Sequence, residues 1–239
     1  MLQRIHFILI VNICMTFFGH SKCFSQTANA EIYLDEIKTE LNKKWPQNRT
    51  INLVFHGHSV PAGYWHNSEV HTLDSYPHIV LEKIKEKYPY SVVNIIITAK
   101  GGENSINGSK RIESDVLNLK PEILFIDYSL NDVSQNLEDT RIAWSLMIDK
   151  ALKQQVKIIL ITPSPDQREN ILDQNNRLVI NSRQVESLSK EFRIGLANVM
   201  PLFQQISHKN GTLIEVMSHV NHPNRLGHEI IASEIFKWF

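Results

Sequence analysis

Cysteine is nearly absent from this chain of 239 residues: there are two, Cys14 and Cys23, and both lie in the first 25 positions. Residues 27–239 carry none, so no disulfide staples that part and its fold must rest on a buried core. An excess of charge of one sign is missing too, since 25 Lys and Arg face 25 Asp and Glu. A neutral chain without a basic stripe lacks the electrostatic footprint of a nucleic-acid binder, and no such partner is expected. There is no tract rich in Pro, Gly or Ser, no low-complexity stretch and no internal repeat to mark a linker or a second unit. The length itself suits one well-buried domain.

Long hydrophobic runs are also lacking. The nearest is residues 7–18, interrupted by Asn12 and Thr16, and it is too short to argue for a permanent membrane span. Arg4 precedes it, and a polar stretch with small residues follows from Gly19 to Ala30. That layout predicts a secretory signal peptide over 1–26, cut somewhere between 25 and 30, with 27–239 as one domain. The protein is then secreted or periplasmic, with no stable span once the leader is gone. An uncleaved anchor is the competing reading; a lipoprotein is disfavoured because neither cysteine follows a small-residue run. The leader holds Arg4 and Lys22 but no acid, so the remainder is slightly negative.

What is present is alternation. Short runs rich in branched residues at 51–55, 92–97, 123–126 and 156–161, with a fifth at 193–199, read as buried strands. Helical spacing appears at 31–45, 78–87, 105–119, 137–154, 175–192 and 224–238. Strands alternating with helices predict an α/β fold with a five-stranded parallel sheet covered on both faces. The charged run 82–87 reads as a solvated helix face, with Leu81 and Ile84 turned inward.

In such a sheet, ligands collect outside the carboxyl ends of the strands. Ser59 follows the first strand, Gly101-Gly102-Glu103-Asn104 the second and Ser129-Leu130-Asn131-Asp132 the third, while His222 precedes the last helix. A serine hydroxyl is a weak nucleophile until an imidazole takes its proton, and His222 is the best candidate base for Ser59. Gly102 permits close backbone approach, and the Asn131 side chain supplies N–H groups, so both suit an oxyanion. Each feature alone is as readily a turn or a helix cap. Four loops meeting at one sheet edge favour chemistry.

These residues carry a resemblance to the SGNH hydrolases, also called GDSL-type lipases and esterases, running in order through most of the chain. Gly57-His58-Ser59 is similar to the block holding the nucleophile, and Gly101-Gly102-Glu103-Asn104-Ser105 to that holding the oxyanion glycine. Leu130-Asn131-Asp132 resembles the block holding the oxyanion asparagine, and His219-Val220-Asn221-His222-Pro223 the Asp-x-x-His-Pro block. The resemblance implies a flavodoxin-like three-layer α/β/α sandwich that cleaves an ester through an acyl-serine. Carried over, Ser59 is the nucleophile and His222 the base. The oxyanion donors are the Ser59 amide, Gly102 (Gly101 if the register is off by one) and Asn131.

Three positions depart from the family pattern. His58 replaces an aspartate, Ser129 a glycine, and His219 the acid that orients the base. A neutral imidazole accepts a hydrogen bond but brings no carboxylate charge. The orienting group is therefore open between His219, a backbone carbonyl and a carboxylate from elsewhere such as Glu215, with a Ser-His dyad as the minimal form.

The expected function is hydrolysis of a short acyl ester, an acetyl in one version, on a small molecule or a carbohydrate, without cofactor or metal. A glycan-binding module with impaired catalysis and an acyltransferase are the alternatives. A zinc hydrolase using His56, His58, His219, His222 and His228 is disfavoured, since no carboxylate or cysteine completes a ligand spacing. An α/β-hydrolase elbow would need Gly-x-Ser-x-Gly, and Pro61 occupies its last position. Tyr64, Trp65 and His66, just past Ser59, are candidates for the pocket wall.

Overall fold

In the computed structural model, residues 26–239 are described; the predicted leader lies outside them apart from Gln26. After a first helix α1 (Asp35–Asn42), β1 (Thr50–Gly57) leads into a single turn, α2 (Ser59–Ala62), and then α3 (Tyr76–Lys87) and β2 (Val92–Ile97). Next come α4 (Ser105–Lys110), β3 (Ile123–Asp127), α5 (Leu137–Lys153), β4 (Lys157–Ile161), α6 (Arg177–Phe192) and β5 (Gly195–Ala197). The chain closes with α7 (Met200–Asn210) and α8 (Arg225–Phe236).

The five strands form one parallel sheet in the order β2-β1-β3-β4-β5. The α/β sandwich with a five-stranded parallel sheet is therefore the fold. Side chains alternate across the strands, and both faces are buried except at the edge strand β2. That strand was expected to be buried, but none of its six residues is, because only β1 pairs with it. Leu53, Phe55, Phe125 and Ile159 meet Ile37 of α1, Ile84 of α3, Phe203 of α7 and Ile231 of α8. Val54, Leu124, Ile126 and Ile158 meet Trp144 and Ile148 of α5 and Leu188 of α6. The strand order reverses between β1 and β3, and a crevice opens at such a point beyond the carboxyl ends of the strands.

Two helices differ from expectation. The apolar spacing over 105–119 reads as one helix, yet α4 stops at Lys110, and a π-helical turn (Ile112–Val116) and a 3-10 turn (Leu117–Leu119) follow. Arg111 stands at the break, its guanidinium drawn to Glu103 and Asp115, and the wider turn still delivers Ile112 and Val116 to the core. Helix α7 was not expected; its Pro201 sits in the first turn, where a missing N–H costs nothing. Leu81 is half-buried and Ile84 fully buried.

Candidate active site

Ser59 is delivered by the end of β1. Gly57 runs so close to β3 that a Cβ there would stand 2.4 Å from the Asp127 carbonyl oxygen. His58 then leaves the extended path and caps α2, its Nδ1 accepting from the Val60 amide at 3.3 Å. Ser59 is thus the first residue of α2, buried at 6% exposure, with its amide at a helix end where N–H groups lack intrahelical partners.

His222 comes from the other end of the chain. Its carbonyl accepts from the Ser218 amide at 2.9 Å and from Ser218 Oγ at 3.0 Å, closing a tight turn. Asn224 Oδ1 accepts from the Gly227 amide at 3.1 Å and starts α8. Across this arrangement His222 Nε2 lies 2.9 Å from Ser59 Oγ. When the hydroxyl donates to Nε2, the neutral ring carries its own proton on Nδ1.

That Nδ1 is buried and meets no acceptor among the described residues. The exposed His219 ring lies nearly parallel to that of His222, centroids 6.3 Å apart, and its backbone amide rather than its ring bonds the turn. The Glu215 carboxylate accepts from Asn210 Nδ2 at 3.2 Å. Burial pushes the His222 pKa down, His58 and His219 push it further, and Asp166 pulls the other way.

The second and third loops stand alongside. Gly102 has φ +74° and open space where a Cβ would go, so its backbone conformation alone calls for glycine. Gly101 abuts Tyr64, whose ring would lie 3.0 Å from an added Cβ. Asn131 Nδ2 donates to the Glu103 carbonyl at 3.0 Å, which ties the third loop to the second. Its amide has a second N–H to offer.

Behind these loops are contacts that sequence reasoning missed. Asp132 is buried; its Oδ1 accepts from the Ser105 amide at 2.8 Å and its Oδ2 from Trp144 Nε1 at 2.9 Å. Burial raises its pKa, and those donors only partly offset the effect. Glu103 accepts from Arg111 Nε at 2.9 Å and from Tyr128 Oη at 2.9 Å. Burial pushes the Glu103 carboxyl up, but Arg111 and Tyr128 outweigh it and hold its pKa below the usual range. No sequence spacing pairs Asp132 with Trp144 or Glu103 with Tyr128; only the fold does.

His56 and His58 do not share a face, contrary to the alternation expected of a strand. The strand ends at Gly57, and His58 turns away into its cap. His56 Nδ1 lies 2.9 Å from Thr98 Oγ1 and its Nε2 3.1 Å from the Gly108 carbonyl, and burial, helped by Arg111, lowers its pKa to about 4. His58 Nε2 stands 3.3 Å from Asp127 Oδ1, not aligned as a hydrogen bond. Asp127 Oδ2 accepts from Tyr76 Oη at 3.0 Å. Among the described residues no three His, Cys, Asp or Glu side chains gather as a metal site.

A cleft of about 240 Å³ opens beside His222, lined by Tyr64, Trp65, Asn67, Ser68 and His219. Its wall is the segment 64–71, pinned by a bridge between Tyr64 and Val70 and by Trp65 stacked on His71 at 4.5 Å. His66 faces His219, ring centroids 5.9 Å apart. A larger groove of about 530 Å³ near Glu40, Arg49 and Glu122 contains neither Ser59 nor His222.

The profile of the GDSL-like lipase/acylhydrolase family matches residues 55–230, a stretch that holds Ser59, Gly102, Asn131 and His222. The chain belongs to that family. A two-domain esterase active on acetylated mannans shares its fold at 18% identity and a TM-score of 0.71, over 90% of this chain and 53% of that one. The GDSL-like chain thus spans about half the length of that esterase. The acetyl xylan esterase AlAXEase is 21% identical with a TM-score of 0.65, over 78% of this chain and 98% of its own. The acetylxylan esterase Axe2 of Geobacillus stearothermophilus is 20% identical with a TM-score of 0.67, over 79% and 93%. No curated protein sequence matches this GDSL-like hydrolase. None of its described helices is long and apolar enough to cross a membrane.

Proposed function

We propose that this protein is an exported serine esterase that removes a short acyl group, an acetyl foremost, from a carbohydrate. The observation that carries the reading is the 2.9 Å approach of His222 Nε2 to Ser59 Oγ. The depressed pKa of His222 keeps its ring neutral, as a general base requires.

In this mechanism Ser59 Oγ attacks the ester carbonyl as its proton passes to His222 Nε2. The oxyanion develops against the Ser59 amide, Gly102 and Asn131. His222 then protonates the departing alcohol, leaving an acyl-serine. Water, giving its proton to the same nitrogen, attacks the acyl carbonyl and frees the acid. The ring-lined wall at Tyr64 and Trp65 offers apolar faces of the kind on which sugar rings stack. Export rests on the leader pattern of residues 1–26, and the acetyl-carbohydrate substrate on the fold shared with esterases of acetylated xylan and mannan.

The test is hydrolysis of p-nitrophenyl acetate against p-nitrophenyl octanoate, and acetate release from acetylated xylan and mannan. Preference for acetyl, lost in Ser59→Ala and His222→Ala, supports the proposal. A wild-type protein inert on every ester but retaining glycans on an affinity column would leave the binding-module reading in its place.

A further inference from the structure

Glu103 is gripped through both its backbone and its side chain. Its carbonyl accepts from Asn131 Nδ2 at 3.0 Å, and its amide donates to the Lys100 carbonyl at 3.2 Å. Its carboxylate accepts from Arg111 Nε at 2.9 Å on Oε1 and 3.0 Å on Oε2, from Arg111 Nη2, and from Tyr128 Oη at 2.9 Å. A guanidinium fork on a carboxylate fixes direction as well as distance. The side chains of Glu103 and Arg111 are only 12% and 11% exposed, so little solvent competes for these bonds. Tyr128 is fully buried and packs so tightly on α4 that a Cβ at Gly108 would overlap its ring. His56 Nε2 lies 3.1 Å from the Gly108 carbonyl, which can only accept, so that nitrogen carries the ring proton. The Tyr128 hydroxyl, 3.1 Å from the same nitrogen, accepts there and keeps its own hydrogen for Glu103.

The Asn131 amide has two N–H groups in one plane, so the bond that one makes to the Glu103 carbonyl sets the direction of the other. We infer that Glu103 is a positioning residue of the oxyanion hole, its carboxylate clamped by Arg111 and Tyr128 so that its carbonyl aims the Asn131 side chain. The inference rests on the serine mechanism proposed above. A desolvated ion pair adds little net stability over an apolar pair of similar size. What it supplies here is a fixed aim for residue 103. Misplacing a reacting group by about 1 Å can cost about 10²-fold in rate, so a loosened carbonyl slows the reaction even with Asn131 in place.

A double-mutant cycle on kcat for p-nitrophenyl acetate tests this, using Glu103→Ala, Asn131→Ala, the two combined, and Ser59→Ala. Glu103→Ala is expected to lower kcat about 10-fold in the wild-type background, with KM within about twofold. In the Asn131→Ala background, where no side-chain amide is left to aim, the same change is expected to cost no more than about threefold. A general loosening of the fold would cost the same factor in both backgrounds; that result, or wild-type kcat in Glu103→Ala, overturns the inference. Asn131→Ala with wild-type kcat, beside an inactive Ser59→Ala, overturns it as well and leaves Ser59 and His222 standing. Activity retained in Ser59→Ala overturns the serine mechanism, and the inference with it. Should Glu103→Ala lose its circular dichroism signature, Tyr128→Phe takes its place in the cycle. A loss of about threefold or more that disappears beside Asn131→Ala supports the inference, and an equal loss in both backgrounds, or none, overturns it.

Discussion

Gly102 holds φ at +74° with nothing near the place where a side chain would begin. Alanine at that position meets a backbone cost of about 1–2 kcal/mol and no clash, so a modest fall in melting temperature is the expected result of Gly102→Ala. Alanine keeps the backbone N–H, so turnover in this variant is expected to fall by much less than the about 10²–10³ that removal of an oxyanion donor costs, and parallel melting and rate measurements check both outcomes. Asn131→Ala removes a side-chain donor and the bond to the Glu103 carbonyl; its kcat is expected to fall by that larger factor with KM little changed. At this scale the sequence was readable as far as placement goes: Ser59 and His222 come within 2.9 Å of each other, and Gly102 and Asn131 lie in the loops beyond β2 and β3. The partners of Asp132 were not readable, because the Ser105 amide and the Trp144 indole reach it from elements far apart in the chain.

Asp132 joins the start of α4 to the middle of α5 through the Ser105 amide and the Trp144 indole. Asparagine there loses one acceptor and turns an amide donor toward a donor, so Asp132→Asn is expected to destabilise by about 1–3 kcal/mol, seen as a lower urea midpoint. Because α4 follows the Gly102 loop directly, activity should decline in that variant even where it is folded. Elements were legible in proportion to how their burial repeats. The strands show as apolar runs and were located to within a few residues, although β2 at the sheet edge is only partly covered. The break after Lys110 was hidden because a π turn keeps Ile112 and Val116 four apart, the spacing a regular helix would also use. Helix α7 was hidden because Pro201, which opens it, reads from sequence as an end.

Over the whole molecule, the buried histidines set how the fold meets acid. Burial lowers the pKa of His56 to about 4 and that of His228 to about 3, from an ordinary 6.5. An unfolded chain takes up protons at these sites near pH 6.5, whereas the folded one resists until far lower. Stability is therefore complete above that pH and is lost as pH falls toward 4, on the order of 3 kcal/mol from His56 alone. His228→Asn, which keeps an acceptor for the Tyr76 amide that Nδ1 now serves at 3.3 Å, should flatten this slope. Urea unfolding at several pH values checks it. The cleft wall obeys a separate logic. Asn67 and Ser68 both hold positive φ, 56° and 63°, in a backbone region that residues other than glycine seldom occupy. The Tyr64–Val70 bridge and the Trp65–His71 stack pin the hairpin that contains them. Tyr64 anchors this wall to the chemistry, its amide donating to the Ser59 carbonyl at 3.1 Å and its ring lying 6.2 Å from that of His222. Exchanging the tip at 66–69 instead would redraw which esters enter while leaving that anchor in place, so selectivity can evolve without renegotiating the chemistry.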